Sequence, residues 1–439
     1  MQVKEEVAPT LEGAPPRSLG FADQLSLWGN LGISLLLVVA GTFVLAPDPG
    51  LPALSIVGAI TAIVVGAVLG NLLLGLGAQA GAETGAPAMV LIRGLFGVRG
   101  SWAPTAANVA QNFGWATVEI MVIAAAAGQL TSDRLRPVAV VVTGVVATVM
   151  ALRPLGVVRG YLKRVAVWVV LASTAYLFVQ VLRRPLPSLT TGSWSAFWKA
   201  TDIVIALPIS WLPLAADYTR HSRAPRAAFA GASIGYGLAT IAFFLLGVLA
   251  TAGDIAGDDV IASLLALPAG TLALLILVID EVDEVFANIY STVVSAQNLR
   301  PQLDRRWAAV VVGAIATILA LVFDDYASYE NFLLLLASVF VPLFAAFVVD
   351  YYLVRGRVWD VTEDAPTRWS MVVPWVAGFV TYQLLNPGYV GAWQRFWVAR
   401  QHDLGFTPPS WASASILSFV VAGALAYVIG RATWRPSSA

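Results

Sequence analysis

Apolar runs of eighteen or more residues recur along this 439-residue chain, and a run of that length is what a helix needs to cross the hydrocarbon core of a bilayer. One run is interrupted by charge. Between about Ile261 and Leu299, eighteen residues rich in Ala, Leu, Ile and Val lead into Asp280-Glu281-Val282-Asp283-Glu284, and a basic stop, Arg300 to Arg306, closes the segment. If the segment is one helix, its acids lie near the bilayer midplane. An ionised carboxylate there costs at least ~3 kcal/mol, which makes such acids a functional-site candidate. The alternative is a helix that stops at Ile279 and leaves the acids in an aqueous loop.

Charge asymmetry separates the two. Hydropathy gives twelve spans, about 26–46, 52–76, 104–129, 137–154, 164–182, 201–219, 228–251, 262–298, 308–323, 332–354, 370–386 and 411–430. With the amino terminus inside, nineteen of the 26 Lys and Arg fall on inner segments and seven on outer ones, as the positive-inside rule requires. The acidic loops Asp254/Asp258/Asp259 and Asp324/Asp325/Glu330 then both lie outside. A crossing that starts from the first of these and ends at Arg300, Arg305 and Arg306 is odd in number. A helix stopped at Ile279 would invert the later bias, so the acids are expected within one crossing.

Composition removes other classes. The chain is 58% hydrophobic and 12% charged, with a mean hydropathy of +0.78, against roughly 25% charged residues in soluble proteins. Zero net charge gives no electrostatic case for a nucleic-acid partner. Without cysteine there is no disulfide framework, thiol nucleophile or Cys-based metal site. His221 and His402 fall at span ends and cannot form a cluster. The first 25 residues are polar and proline-bearing, unlike a signal peptide, and are expected to stay as a disordered cytoplasmic tail. The expected organisation is a ten-helix core over 26–355, with repeats at 26–183 and 200–355, two further helices over 370–431 and a cytoplasmic tail over 432–439.

Two spans carry breakers. The first holds Gly29 and Gly32 in Trp-Gly-Asn-Leu-Gly-Ile-Ser, and the sixth holds Pro208 and Pro213. They lie five spans apart, as expected if spans one to five and six to ten are inverted repeats with discontinuous leading helices, the arrangement that marks a transporter's central site. Gly66, Gly70, Gly77, Gly81 and Gly85, four or seven apart on span two, are expected to let a neighbouring helix approach closely.

Two polar stripes complete the pattern. On span three, Asn108, Gln111, Asn112, Trp115 and Glu119 recur at three- and four-residue steps and share a helix face. On span eight, Asp280, Glu284 and Ser291 share a face, with Asp283 about 60° to one side. An indole beside amides and carboxylates suits a flat, polar heterocycle, stacked on Trp115 and read along its edge. The candidate substrate-binding residues are Trp115, Gln111, Asn112, Glu119, Ser210, Trp211, Asp280 and Asn288.

Gly70-Asn71-Leu72-Leu73-Leu74-Gly75, Gly81–Gly85, Arg93-x2-Phe96-Gly97-Val98-Arg99-Gly100-Ser101-Trp102, Gly114-Trp115, Ala216-Asp217-Tyr218-x-Arg220 and Val349-Asp350-Tyr351 together resemble the nucleobase:cation symporters, the purine–cytosine permeases. The resemblance covers roughly residues 20–355. It implies an all-α polytopic membrane protein of about 12 transmembrane helices, a LeuT-type five-plus-five inverted repeat with two C-terminal helices. It also implies import of a cytosine-, purine- or hydroxymethylpyrimidine-like ring with a co-transported cation and no other cofactor. In such proteins the third-span Trp stacks the base and an amide one turn earlier bonds its edge, positions that match Trp115 and Asn112. The sixth-span break maps to Pro208–Trp211 and the eighth-span polar position to Asp280.

This chain departs from the pattern at the ion site. Sodium-coupled members place two hydroxyl residues of span eight beside span-one carbonyls, here about Gly32 and Leu35. Those hydroxyl positions fall on Asp283 and Glu284, give or take one residue, and the first-span aromatic falls on Leu36. Carboxylates there would either hold Na+ together with Gly32 and Leu35 or carry a proton. Four acids within five residues cannot all be ionised in a low dielectric, which favours protons. A rival reading is an intramembrane enzyme whose acids hold Mg²⁺. It lacks cations at membrane depth and a phosphate-binding GxxxxGK[ST] loop. The expected location is the plasma (inner) membrane, both termini cytoplasmic.

Overall fold

In span one, the chain leaves one helix after Asn30 and re-enters another at Leu35, bent by 64°. The structure, a computed structural model, describes residues 7–11, 14–48, 50–158, 160, 167–253, 260–323 and 329–433. The acidic loops at 254–259 and 324–328 and the tail ends at 1–6 and 434–439 lie outside the described residues.

Span one is α1 (Phe21–Asn30) and α2 (Leu35–Val44); span two is α3 (Ile56–Thr84). A short helix, α4 (Ala88–Gly100), leads into span three, α5 (Trp102–Leu130), then span four, α6 (Arg136–Leu152), a single turn α7 (Pro154–Val157) and span five, α8 (Val167–Leu182). The second half repeats the series: α9 (Phe197–Thr219), α10 (Pro225–Ala252), the short α11 (Val260–Leu265), α12 (Gly270–Asp280) with α13 (Val282–Leu299) as span eight, α14 (Arg305–Val322) and α15 (Tyr329–Val348). Spans eleven and twelve are α16 (Val372–Leu385) and α18 (Ala414–Thr433), separated by α17 (Gly391–Asp403).

Two groups of helices pack as units. In one, α3 lies along α9 and α10, and α1 and α2 lie along α10. In the other, α5 and α6 pack on α13 and α14. The first unit is close-fitted by small residues. An added Cβ on Gly66, Gly70, Gly77 or Gly81 would meet Val204, Pro208, Leu212 or Ala216 at 2.4–2.7 Å, so the side of α3 that faces α9 tolerates nothing larger than hydrogen. On the periphery, Val141, Val145 and Val149 of α6 and Val311, Ile315, Ile318 and Val322 of α14 are exposed. These rows are what lipid would cover.

Spans eleven and twelve join the core through a buried carboxylate. Asp202, at the start of α9, accepts from Ser413 Oγ at 2.5 Å and from the amides of Ala414 and Ser415 at 2.8 and 3.1 Å. It thus caps α18, whose first amides have no partner within their own helix.

Three expectations are corrected. Span six is not discontinuous. Pro208 and Pro213 sit inside one helix over Phe197–Thr219. Prolines are tolerated inside membrane helices where neighbours satisfy the backbone they free. The carbonyls that lose their donors are those of Val204 and Ile209, four residues before each proline; α5 braces the helix nearby, Gln111 donating to the Ser210 carbonyl at 3.1 Å and Asn108 to the Pro213 carbonyl at 3.3 Å. Span eight, expected unbroken, turns at Glu281 between α12 and α13. The amino-terminal segment is also structured where it is described. Leu11 N donates to the Pro301 carbonyl and Arg305 N to the Pro9 carbonyl. Arg17 reaches the Ala82 carbonyl at 2.7 Å, and Leu19 pairs with Ser222. Unpaired carbonyls at helix ends draw the segment down across spans two, six and eight.

Candidate functional site

The turn at Glu281 aims four neighbouring acids in different directions, and all are buried, with exposures of 1% for Asp280, 0% for Glu281, 1% for Asp283 and 3% for Glu284. Their partners come from the break in span one and from span three. Asn30, the last residue of α1, donates from Nδ2 to Asp280 at 3.0 Å and to Asp283 at 2.7 Å. Glu281 accepts from Ser34 Oγ at 2.6 Å and from the Leu35 amide at 3.0 Å, so a carboxylate meets the N-terminus of α2, where the backbone N–H groups are unsatisfied and the helix dipole is positive. Glu284 turns the other way, toward Glu119 of α5, and its Oε1 has no partner. Asn288, one turn further along α13, donates to both Glu119 oxygens at 3.0 Å.

The indole lies on the same helix as Glu119. Trp115 stands one helical turn earlier on α5, about 6 Å along the axis. It packs edge-to-face against Phe332 at 5.1 Å and Tyr329 at 6.0 Å between ring centroids. A second aromatic group lies on the bundle side. Trp211 of α9 meets Trp28 at 6.2 Å and Tyr236 at 5.9 Å. The hydroxyls of Tyr236 and Tyr329 both sit in the field of Glu284 and Glu119. The carboxyls are therefore bordered by Trp115 and Tyr329 on one side and by Trp211 and Tyr236 on the other.

The remaining expected residues are placed as follows. Gln111 is engaged, donating to Asn108 Oδ1 at 2.7 Å and to the Ser210 carbonyl. Ser210 Oγ bonds back to the Leu207 carbonyl. Asn112 is wholly buried, yet neither atom of its amide has a partner. Gly32 lies against α10, where an added Cβ would meet Ala239 at 2.6 Å and Tyr236 at 3.3 Å. Leu36 is buried in α2; the span-one aromatic in this region is Trp28.

The expected cation set is corrected. Asp283 and Glu284 do not meet the span-one break together with Gly32 and Leu35; Glu281 occupies the Leu35 amide, Asp283 is held by Asn30, and Glu284 faces Glu119. Among the described residues no group of three or more His, Cys, Asp and Glu is placed to hold a metal ion. Local sequence pattern does not single out Asn30 or Ser34, and it does not choose Glu281 from among the four acids. The one signal for Asn30 is its position between Gly29 and Gly32, where a polar side chain at a helix break is free to point inward.

Further ties close the site toward the amino-terminal face. Asp217 accepts from the Ala88 amide at 2.9 Å and from Ser291 Oγ at 2.7 Å, and Tyr218 donates to the Ala287 carbonyl at 3.0 Å. Arg93 donates to Asn298 Oδ1 at 2.6 Å, while Asn298 Nδ2 donates to Thr105 Oγ1 at 2.8 Å. Asp350 pairs with Arg368 at 2.8 Å.

A broken leading helix, helices packed as two units and a buried polar centre between them define a secondary transporter of the LeuT type, not an enzyme. Solved structures agree on the fold. The chain is similar to Mhp1, a nucleobase-cation-symport-1 family transporter solved in a closed conformation with bromovinylhydantoin bound, with a TM-score of 0.73, 18% identity, and 98% of this chain and 95% of that one covered. It is also similar to a Na+-coupled sialic acid symporter in a substrate-bound outward-open state, with a TM-score of 0.60, 11% identity, and 95% and 90% covered. Residues 17–368 match the family described as permeases for cytosine/purines, uracil, thiamine and allantoin, and the chain belongs to that family. Among its relatives are the cytosine permeases of Escherichia coli strain K12, 28% identical over 328 residues covering 71% of this chain and 74% of that one, and of Escherichia coli O157:H7, 27% identical over 332 residues with the same coverage.

Proposed function

We propose that this permease carries a small nucleobase-like heterocycle into the cell, coupled to a cation, across a membrane in which both its termini face the cytoplasm. The observation that carries this reading is the Asn112 amide, wholly buried with both atoms unpartnered, one turn before Trp115 and on the same face as Glu119. A buried amide without partners costs about 1–3 kcal/mol per unsatisfied group, a cost that a ligand edge removes. The ring stacks on Trp115 and bonds to Asn112 and Asp280. Gln111, already held by Asn108 and Ser210, sets the wall instead.

The coupling ion in this reading is a proton, not Na+. Glu119 and Glu284 are buried neighbours among further acids, and clustered carboxyls in a low dielectric do not all stay ionised, which favours a proton as the charge they carry. Binding of proton and ring favours closure, and the α1, α2, α3, α9 and α10 unit then rocks against α5, α6, α13 and α14 around a fixed site. The test is uptake of radiolabelled cytosine into proteoliposomes under imposed pH or Na+ gradients. Uptake driven by the pH gradient, lost in Trp115→Ala and made gradient-independent in Glu284→Gln, supports the reading. Uptake driven by Na+ alone refutes the proton, and normal uptake by Trp115→Ala removes the site from span three.

A further inference from the structure

A second polar cavity, of about 430 Å³, lies on the amino-terminal face, enclosed by the amino-terminal segment, the turn between α3 and α4, the end of α9 and the loop at 361–363. Among the described residues, three guanidinium groups line it, those of Arg17, Arg93 and Arg220, against one carboxylate, Glu363. Two of the three are buried, Arg93 at 4% and Arg220 at 6% exposure. Arg93 spends Nε and one Nη on the side chain and carbonyl of Asn298, at 2.6 and 2.8 Å. Arg220 is less well served. Of its five N–H donors, one makes a long bond to Tyr290 Oη at 3.4 Å, and Nε has no partner. Arg17 reaches over Gly85, the left-handed C-cap of α3 at φ +74°, where an added Cβ would meet Nη2 at 3.3 Å.

No acid pairs with these groups. Among the described residues, none of the three arginines stands in an ion pair. The charge of Glu363 acts on Arg93, and that of Arg220 acts on Asp217. Asp217, however, gives its two oxygens to the Ala88 amide and Ser291 Oγ. Arg220 follows the last turn of α9, whose dipole favours a cation, yet no carbonyl of that turn accepts from its side chain. A buried guanidinium with most of its donors unused is costly unless an opposite charge meets it. The amino-terminal end of α4 adds to the positive field. Ala86, Pro87 and Val90 line the cavity, and the N-cap, Pro87, offers no side-chain acceptor, so unsatisfied N–H groups lie beside it.

We propose that this cavity is an anion site for a phosphate group, free in solution or borne on a lipid headgroup. Guanidinium forks match the oxygens of phosphate, where a lysine would offer only a point charge. A carboxylate has two oxygens to set against three guanidiniums; a phosphate supplies one for each. Occupied, the cavity joins the end of α9 and the amino-terminal segment to α4, which Arg93 fastens to α13 through Asn298. The site is separate from the acids of span eight and independent of what they carry.

The test is thermal unfolding of the full-length protein, purified in an uncharged detergent, with sodium phosphate titrated against sodium chloride at equal ionic strength. Phosphate is expected to raise the melting temperature saturably. Arg17→Gln, at an exposed position, is expected to raise the half-saturating concentration roughly threefold or more, and Arg220→Gln to abolish the effect. Should Arg220→Gln fail to fold, Arg17→Gln still decides. A second arm replaces phosphate by phosphatidylglycerol in the micelle. Protection by the lipid alone assigns the phosphate to a headgroup; protection by soluble phosphate assigns it to a solution anion. No difference between phosphate and chloride, with the lipid also without effect, overturns the proposal. So does protection that both arginine variants leave unchanged. Glu12, two positions before Ala14 and outside the described residues, supplies the last control: protection that appears only in Glu12→Gln means that the chain provides its own counter-charge, and the proposal falls.

Discussion

Asn30 holds together two acids that would otherwise repel. Its single NH₂ group reaches Asp280 and Asp283 from the end of α1, so one side chain joins the span-one break to span eight. Asn30→Ala removes that donor from two buried carboxyls, and stability is expected to fall by about 1–3 kcal/mol, the cost of unsatisfied buried groups. An unchanged melting temperature would show that the pair finds other partners. Trp115 and Glu119 are legible in the sequence because three- and four-residue spacing places them on one face without reference to any other helix. Asn30 and Glu281 are not, because their meaning lies in contacts across some 250 residues of chain, and no local periodicity encodes a partner at that separation.

Among elements, α3 and α9 make the most extensive contact, and the fit is visible in part from sequence. The glycines of span two announce a close neighbour; which neighbour follows only from the fold, where a Cβ added to Gly70 would meet Pro208 at 2.4 Å. Gly70→Val is expected to push the two helices apart, at a cost of several kcal/mol typical of forced overpacking and lost contacts, and to reduce folded protein recovered in detergent. Normal recovery and uptake would mean that the pair slides without consequence. The sixth span departs from its sequence expectation for a related reason. Proline signals a missing donor, but whether the helix breaks depends on the surrounding packing, and this helix is buried along nearly its whole length and braced by Asn108 and Gln111 of α5. The bend in span one is legible because Gly29 and Gly32 flank it, and Gly32 leaves room there for Ala239 of α10, which an added Cβ would meet at 2.6 Å.

At the scale of the whole molecule, the structure is tied shut on its amino-terminal face. Arg305 donates to the carbonyls of Ala151, Val7 and Leu152, at 2.8, 3.3 and 3.3 Å, and Gln297 donates to that of Pro9 at 2.9 Å. The His221 carbonyl receives the amides of Ser18 and Leu19 at 2.9 Å. This strap joins both packing units, so opening toward that face has to undo it. The chain has no cysteine, which allows one to be introduced as a reporter. With Ser291→Cys, which faces Asp217 of α9 across the two packing units, deletion of residues 1–18 is expected to speed labelling from the amino-terminal side several-fold. Equal rates would mean that the strap does not hold the closed form. The sequence offers no hint of the strap, because its bonds run from polar, proline-bearing residues to helix ends and leave no apolar pattern behind.

The grip of Asp202 on the start of α18 has a consequence outside the transport core. In the transport cycle proposed above that carboxylate belongs to the tilting unit, so the last helix is expected to move with it rather than stay behind as a fixed post. It is carried along, and α16, packed beside it, travels too. Each cycle then sweeps a lipid-facing surface through the bilayer, which makes membrane thickness and lateral pressure a mechanical load on the rate of carriage.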